Sequence, residues 1–155
     1  MRIVEATEEH VWDWMDLIKA FYAEGVDKYG MGIDEKDAVD TYMIWIRDHI
    51  SIFLETDDGK KVGCFAAQYI GYPLNYKHVY CQEMVWFVLP GYRGYGLMLY
   101  REALRQAKAY NCRQIVCGFS YSVMPRYFIK MYNRLGFKKL ETHYIKDLRH
   151  GPNEN

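Results

Sequence analysis

The sequence predicts a mixed α/β (α+β) domain whose elements run β-α-α-β-β-β-α-β-α-β-β. Three observations carry this. Val11, Trp14, Met15, Ile18, Phe21 and Tyr22 recur at helical spacing. Two strand-like runs meet at Asp57-Asp58-Gly59, a hairpin signal. In Leu89–Met98, reading LPGYRGYGLM, a hydrophobic run ends in a Pro-Gly turn, and Arg93, Gly94 and Gly96 lead into an amphipathic helix.

Taken in order, Arg2–Glu5 reads as a first strand. Thr7, followed by Glu8 and Glu9, reads as the cap of a helix running to about Ala23. Gly25–Asp34 is a loop, and Asp34 caps a second helix with Ala38, Tyr42, Ile46 and Ile50 on one face. Ser51–Glu55 and Lys61–Ile70 are the strands of the hairpin, and Tyr69–His78 is a tyrosine-rich connection containing Pro73. Val79–Leu89 is apolar on both faces, as a central strand is. The glycine loop then enters a helix to about Tyr110, with Leu97, Tyr100, Leu104 and Ala107 inward. Gln114–Gly118 is a short fifth strand, Val123–Leu135 a helix stopped by Gly136, and Phe137–Leu140 and Thr142–Leu148 are final strands. With no repeat or linker, residues 1–148 are expected to form one domain and Arg149–Asn155 a polar tail.

Half the residues are apolar and 17% aromatic, enough for a packed core. Lys plus Arg number 20 and Asp plus Glu 20, so net charge suggests neither a nucleic-acid partner nor an anionic membrane. No apolar run approaches the roughly 20 residues of a membrane span, and MRIVEATEEH lacks the apolar core of a signal peptide. Cys64, Cys81, Cys112 and Cys117 show no metal-ligand spacing and read as free thiols of a cytoplasmic protein with no metal.

The glycine loop brings backbone N–H groups, a helix N-terminus and a guanidinium to one point, a physical recipe for holding a phosphate. Gly94 and Gly96 leave room for a diphosphate to approach the main chain, and Arg93 adds a charge-assisted contact. The bland alternative is a glycine-rich turn that binds nothing.

With this loop between a central strand and a helix, and Met131-Tyr132-Asn133-Arg134-Leu135-Gly136-Phe137 on the last helix, the chain resembles the GNAT superfamily of acyl-CoA-dependent N-acyltransferases. The resemblance implies a mixed, mostly antiparallel central sheet flanked by helices, with acetyl-CoA as co-substrate. The family's pyrophosphate motif, Arg/Gln-x-x-Gly-x-Gly/Ala, falls on Arg93, Gly94, Tyr95, Gly96, Leu97 and Met98, where Met98 replaces the usual small residue. By position the family's thioester strand falls on Phe87, Val88 and Leu89, contributing main-chain groups after a bulge where the fourth and fifth strands diverge.

The resemblance gives Tyr132 the role of general acid, a phenol that stays protonated at neutral pH and can protonate a departing thiolate. A core aromatic is the rival reading. For the general base, Glu83 is the first candidate, since period-two spacing sets it on one face with Val85, Phe87 and Leu89 as a partly buried acid. Its rivals are a wet strand end or an ion pair. His78, Glu141 and His143 have no motif behind them, and a neutral acceptor needs no base.

Trp12, Trp14, Tyr22, Tyr29, Tyr42, Trp45, Tyr72 and Tyr76 fall in segments that shape the acceptor side in this family, and most read as core at helical spacing. The expected activity is transfer of an acetyl group to a primary amine, on a small molecule or a protein, by direct attack in a ternary complex. The alternative is an inactive GNAT-fold module that binds acyl-CoA or a protein. A nucleic-acid binder using Arg93, Lys130, Arg134, Lys138 and Lys139 fits the zero net charge poorly. No nucleic acid or membrane is expected as a partner, and nothing in the sequence excludes a homodimer.

Overall fold

A five-stranded sheet organises the chain in the computed structural model, which describes residues 1–26, 32–118 and 125–141. The strands are β1 (Arg2–Glu5), β2 (Ile50–Glu55), β3 (Lys61–Tyr72), β4 (Asn75–Val88) and β5 (Gln114–Val116), in that spatial order. The first three pairings are antiparallel, and β4 with β5 is parallel. The helices are α1 (Val11–Phe21), α2 (Glu35–Asp48), α3 (Gly96–Ala109) and α4 (Pro125–Arg134).

Alternation along the strands divides the core in two. Phe53, Cys64, Ala66, Val85 and Phe87 face α1 and α2, where they pack with Trp14, Met15, Ile18, Tyr42 and Trp45. Ile52, Leu54, Phe65, Ala67, Cys81 and Val88 face α3 and pack with Leu99, Ala103 and Ala107. The Tyr42 hydroxyl donates to the Thr7 carbonyl at 2.6 Å, tying α2 to the entry of α1 and satisfying a buried polar atom.

Local signals hold where local chemistry decides the geometry. The Asp34 side chain accepts from the Asp37 N–H at 3.0 Å and caps α2. Gly59 takes φ +89° in the hairpin turn, and Gly136 takes +82° just past α4, both conformations that favour glycine. Thr7 opens a short 3₁₀ turn (Glu8–His10) rather than α1 itself, with its N–H donating to His10 Nδ1 at 3.1 Å. Helix α1 ends at Phe21 and loosens into a π turn over Tyr22–Val26.

Three expectations are corrected. Tyr69–His78 is not a connection: β3 continues to Tyr72 and β4 begins at Asn75, so only Pro73 and Leu74 turn the chain. The β-prone tyrosines of this segment extend the ladder, and Pro73, which cannot donate to it, sits at its end. On α3 the buried face is Gly96, Leu99, Tyr100, Ala103 and Ala107, while Leu97 is exposed. Phe137–Leu140 forms no strand. The Phe137 N–H instead closes on the Tyr132 carbonyl at 3.0 Å, and its ring lies 5.0 Å from that of Tyr132. Thr142–Leu148 and the tail Arg149–Asn155 lie outside the described residues.

Candidate active site

An extra residue in β4 sets the site. Val85 pairs with Ala66 and Glu83 with Ala67, so Met84 bulges from the ladder. The bulge reverses the side-chain alternation. Val85 and Phe87 face α1 and α2, whereas Glu83, opposite Ala67 and in step with Cys81, faces the α3 side. The period-two expectation that Glu83 shares a face with Val85, Phe87 and Leu89 is thereby overturned.

One residue before the bulge, β4 and β5 part company. Their pairing covers Tyr80–Gln82 against Gln114–Val116 and then stops, so the chain diverges from β4 at the level of Glu83. Gly118, just past β5, donates its N–H to Glu83 Oε2 at 2.9 Å. From α4 the Tyr132 hydroxyl donates to the Gly118 carbonyl at 2.7 Å. The two side chains assigned acid and base roles thus converge on one residue. Tyr132 is buried, with its ring 6.4 Å from Trp86, which in turn stacks on Tyr100 at 5.5 Å.

Burial pushes the Glu83 carboxyl up to about 7, against the opposing pull of the Gly118 N–H. The buried Glu55 provides the contrast. Its hydrogen bonds to Lys61 and Arg2 hold it below the ordinary carboxylate range, with Lys61 Nζ at 2.6 Å. No such cation offsets the burial of Glu83 among the described residues. Tyr132 is raised well above an ordinary phenol, first by burial and then by Glu83 and Cys117. One group therefore exchanges a proton near neutrality, and the other keeps its proton.

The glycine segment is a 3₁₀ helix over Pro90–Tyr95 that runs directly into α3. At its two ends Tyr92 donates its N–H to Leu89 O at 2.8 Å, and Gly96, the first residue of α3, donates to Arg93 O. Among the described residues no side chain caps the N-terminus of α3, the end at which a helix favours an anion. A Cβ at Gly94 would meet nothing within 4 Å, so its main chain is open to approach. Gly96 has a different task. It is buried, its Cβ position lies 3.6 Å from Val88 Cγ2, and its carbonyl accepts from Trp86 Nε1 at 3.2 Å. Tyr95 and Leu97 point outward, and Met98 packs partly against the core on the α3 side, away from the loop surface.

Arg93 is not idle. Its guanidinium is ion-paired with Glu24 in the π turn after α1, a partner that no sequence signal announces. Just past β4, the Leu89 N–H is taken by Val62 O at 2.9 Å. Alternation turns the main-chain groups of Phe87 the same way, toward β3, and those of Val88 toward the side that β5 has left. Of Phe87, Val88 and Leu89, Val88 is thus the one whose main-chain groups turn to a side with no partner strand among the described residues.

Gly118 and Cys117 entered no sequence reading of the site. The available signal is positional, since ligands gather beyond the carboxyl ends of parallel strands and QIVCG ends one. Of the aromatics on the acceptor side, Trp14, Tyr42 and Trp45 are core, while Trp12, Tyr72 and Tyr76 are exposed. His78 is half-buried on β4 and Glu141 is exposed. Tyr29 and His143 fall outside the described residues. Among the described residues no cluster of His, Cys, Asp or Glu is arranged to hold a metal ion, and no helix is long and apolar enough to cross a membrane.

Comparison with known proteins supplies the family context. Residues 11–137 match the sequence profile of the Acetyltransferase (GNAT) family. Among solved structures, the chain resembles the aminoglycoside 6′-N-acetyltransferase AAC(6′)-Ih from Acinetobacter baumannii at 18% identity, covering 94% of this chain and 97% of that one with a TM-score of 0.71. It resembles AAC(6′)-Iy, solved with a bisubstrate analogue joining CoA to acetylneamine, at 18% identity over 96% and 98% of the two chains, TM-score 0.74. A ribosomal-protein-alanine N-acetyltransferase from Brucella melitensis biovar Abortus matches at 14% identity over 96% and 100%, TM-score 0.71. At these identities the likeness is one of fold. No curated protein matches the chain in sequence.

Proposed function

The chain belongs to the acetyltransferase (GNAT) family, and on that premise we propose that it is a cytoplasmic enzyme moving an acetyl group from acetyl-CoA to a primary amine by direct attack in a ternary complex. The observation that carries this reading is the convergence of Glu83 and Tyr132 on Gly118, where β4 and β5 part. A base titrating near neutrality and an acid that holds its proton are what aminolysis of a thioester requires.

The residues fit the co-substrate. The uncapped N-terminus of α3 and the open main chain at Gly94 suit its pyrophosphate. The open edge of β4 at Val88 suits its amide-bearing arm, and Arg93 reaches a phosphate once it releases Glu24. Acetyl-CoA supplies the acetyl group as a thioester. Glu83 takes the first proton that an alkylammonium acceptor must lose and passes it to solvent, and the amine nitrogen bonds the acetyl carbon as the carbon–sulfur bond breaks. Tyr132 turns its O–H from the Gly118 carbonyl to protonate the departing sulfur, and the second proton shed by the nitrogen as it becomes an amide restores the phenol. The Val88 N–H faces the side on which negative charge develops on the carbonyl oxygen. Relatives of this fold named for aminoglycoside and protein-alanine acetylation support an amine acceptor, small molecule or protein.

Calorimetric titration with acetyl-CoA and CoA, followed by thiol release in the presence of an amine panel, tests the reading. Binding together with amine-dependent CoA release is expected, and Tyr132→Phe is expected to bind but turn over slowly. No binding at sub-millimolar ligand would sink the assignment. The alternative is a module of the same fold that binds acyl-CoA without turnover. It requires binding with no CoA release for any amine.

A further inference from the structure

We propose that the main chain of Gly118 is the positioning element of the transfer site: its N–H holds the Glu83 carboxylate and its carbonyl holds the Tyr132 hydroxyl, fixing base and acid about one Cα. The proposal rests on the acetyl-transfer reading for its purpose and on geometry for its substance.

Gly118 lies two residues past the last rung of the parallel ladder, Gln82 with Val116. Had the strands stayed together, its main-chain groups would face the main chain of β4. After the strands part, two side chains take that place, Glu83 from β4 and Tyr132 from α4. The two hydrogen bonds anchor different elements to the same residue, so a displacement of Gly118 moves both groups together. The side chain of residue 118 has no part in this. Among the described residues a Cβ there would meet nothing within 4 Å, and its φ lies outside the left-handed range. The position therefore tolerates alanine and depends on the N–H.

Among the described residues the titratable groups facing Glu83 are Cys81 on its own strand, Cys117 beside β5 and Tyr132 on α4, with Tyr100 of α3 next to Cys117. Burial raises all four, so none carries charge near neutrality. Within this neutral shell the Gly118 N–H is the group described that favours the ionised carboxylate.

Two experiments test the proposal, and the first reads the geometry whether or not the protein is active. In ligand-free wild type labelled at glycine, the Gly118 amide resonance is expected to titrate with Glu83 and to lose that step in Glu83→Gln, and the Gly118 carbonyl carbon is expected to shift upfield in Tyr132→Phe. An amide that ignores Glu83, or a carbonyl unmoved by Tyr132→Phe, overturns the proposal whether or not the protein turns over. In the pH profile of kcat/KM, Gly118→Pro removes the N–H, disfavours ionised Glu83 and moves the acid limb up by about one unit, a tenfold loss at pH values below it. Gly118→Ala keeps the N–H and leaves the limb in place. A Gly118→Pro limb coincident with wild type overturns the proposal, and should that variant fail to fold, the resonance experiment decides. A wild type that binds acetyl-CoA without transferring it refutes the activity and leaves the anchoring geometry to the resonances.

Discussion

Replacing Glu83 by glutamine is expected to impair the enzyme and stabilise the fold above neutral pH. The carboxyl is raised from 4.5 to about 7 by burial, so the folded state binds its proton more tightly than the unfolded chain does. Between those values the native state holds the extra proton, and stability conferred by Glu83 falls as pH rises through the interval. A displacement of this size corresponds to roughly 2–4 kcal/mol lost by pH 8, less whatever the partial solvent access of the residue returns. Glutamine keeps an oxygen able to accept from the Gly118 N–H at 2.9 Å in the wild type, so the hydrogen bond survives while the charge does not. Urea unfolding at pH 5 and pH 8 measures the effect. Wild type and Glu83→Gln should agree at pH 5 within about 1 kcal/mol, since roughly 0.8 kcal/mol has already been lost half a unit above the unfolded value, and the variant should be more stable at pH 8. Turnover should move the opposite way, falling about 10²–10⁴-fold at pH 8 for loss of a general base. In wild type, kcat/KM should rise about tenfold per unit below neutrality and level off above pH 8. Parallel stability curves for the two proteins would refute the buried-carboxylate argument. Undiminished turnover in the variant would refute the catalytic one.

Tyr132→Phe should lower kcat by about 10²–10⁴-fold, leave acetyl-CoA binding in place by calorimetry, and cost about 1 kcal/mol in urea for the lost bond to Gly118. Glu24→Gln frees Arg93 from a partly exposed ion pair whose net worth is about 1 kcal/mol or less, so acetyl-CoA should bind up to about fivefold tighter. Weaker binding would mean that Glu24 assists the donor. Gly96→Ala should retain acetyl-CoA affinity in the same titration, because its Cβ makes ordinary contact at 3.6 Å with Val88 and 3.7 Å with Trp86 rather than pointing into the ligand path.

What the sequence made legible was what short-range chemistry decides. Asp34 caps α2, Asp57-Asp58-Gly59 turns the hairpin and Gly136 closes α4, each through atoms a few residues apart. Arg93 and Tyr132 could be singled out because a motif survives without coordinates, whereas Glu83 was chosen on a period-two spacing that the bulge overturns. The illegible part depends on register between distant segments. Counting by twos along β4 sets Glu83 beside Val85, and only the pairing with β3 exposes Met84 as a residue out of step. The β-prone tyrosines of Tyr69–His78 carried no signal separating a long hairpin from a loop until β3 and β4 were paired. Glu24 reaches Arg93 across 69 positions of sequence, and Gly118 reaches Glu83 across 35. Neither contact leaves a local trace.

The Met84 bulge links these parts. Without it β4 would alternate regularly, and Glu83 would face α1 and α2 with Val85 and Phe87, placing a carboxylate against Trp14, Met15 and Tyr42. Burying a charge there without a partner costs several kcal/mol. With the bulge, the same residue turns toward β5 just where the pairing with β5 ends, and a main-chain N–H is waiting for it. Downstream of the bulge β4 continues as before, so Val85, Phe87 and Val88 keep their core positions, and the main-chain groups of Val88 turn to the vacated edge. One inserted residue therefore does two things that alternation cannot do together: it keeps the strand apolar on both faces, and it aims a single acid into the wedge between β4 and β5. The exposed side chain of Met84 is incidental to this, since the count of residues between Glu83 and Val85 sets the geometry.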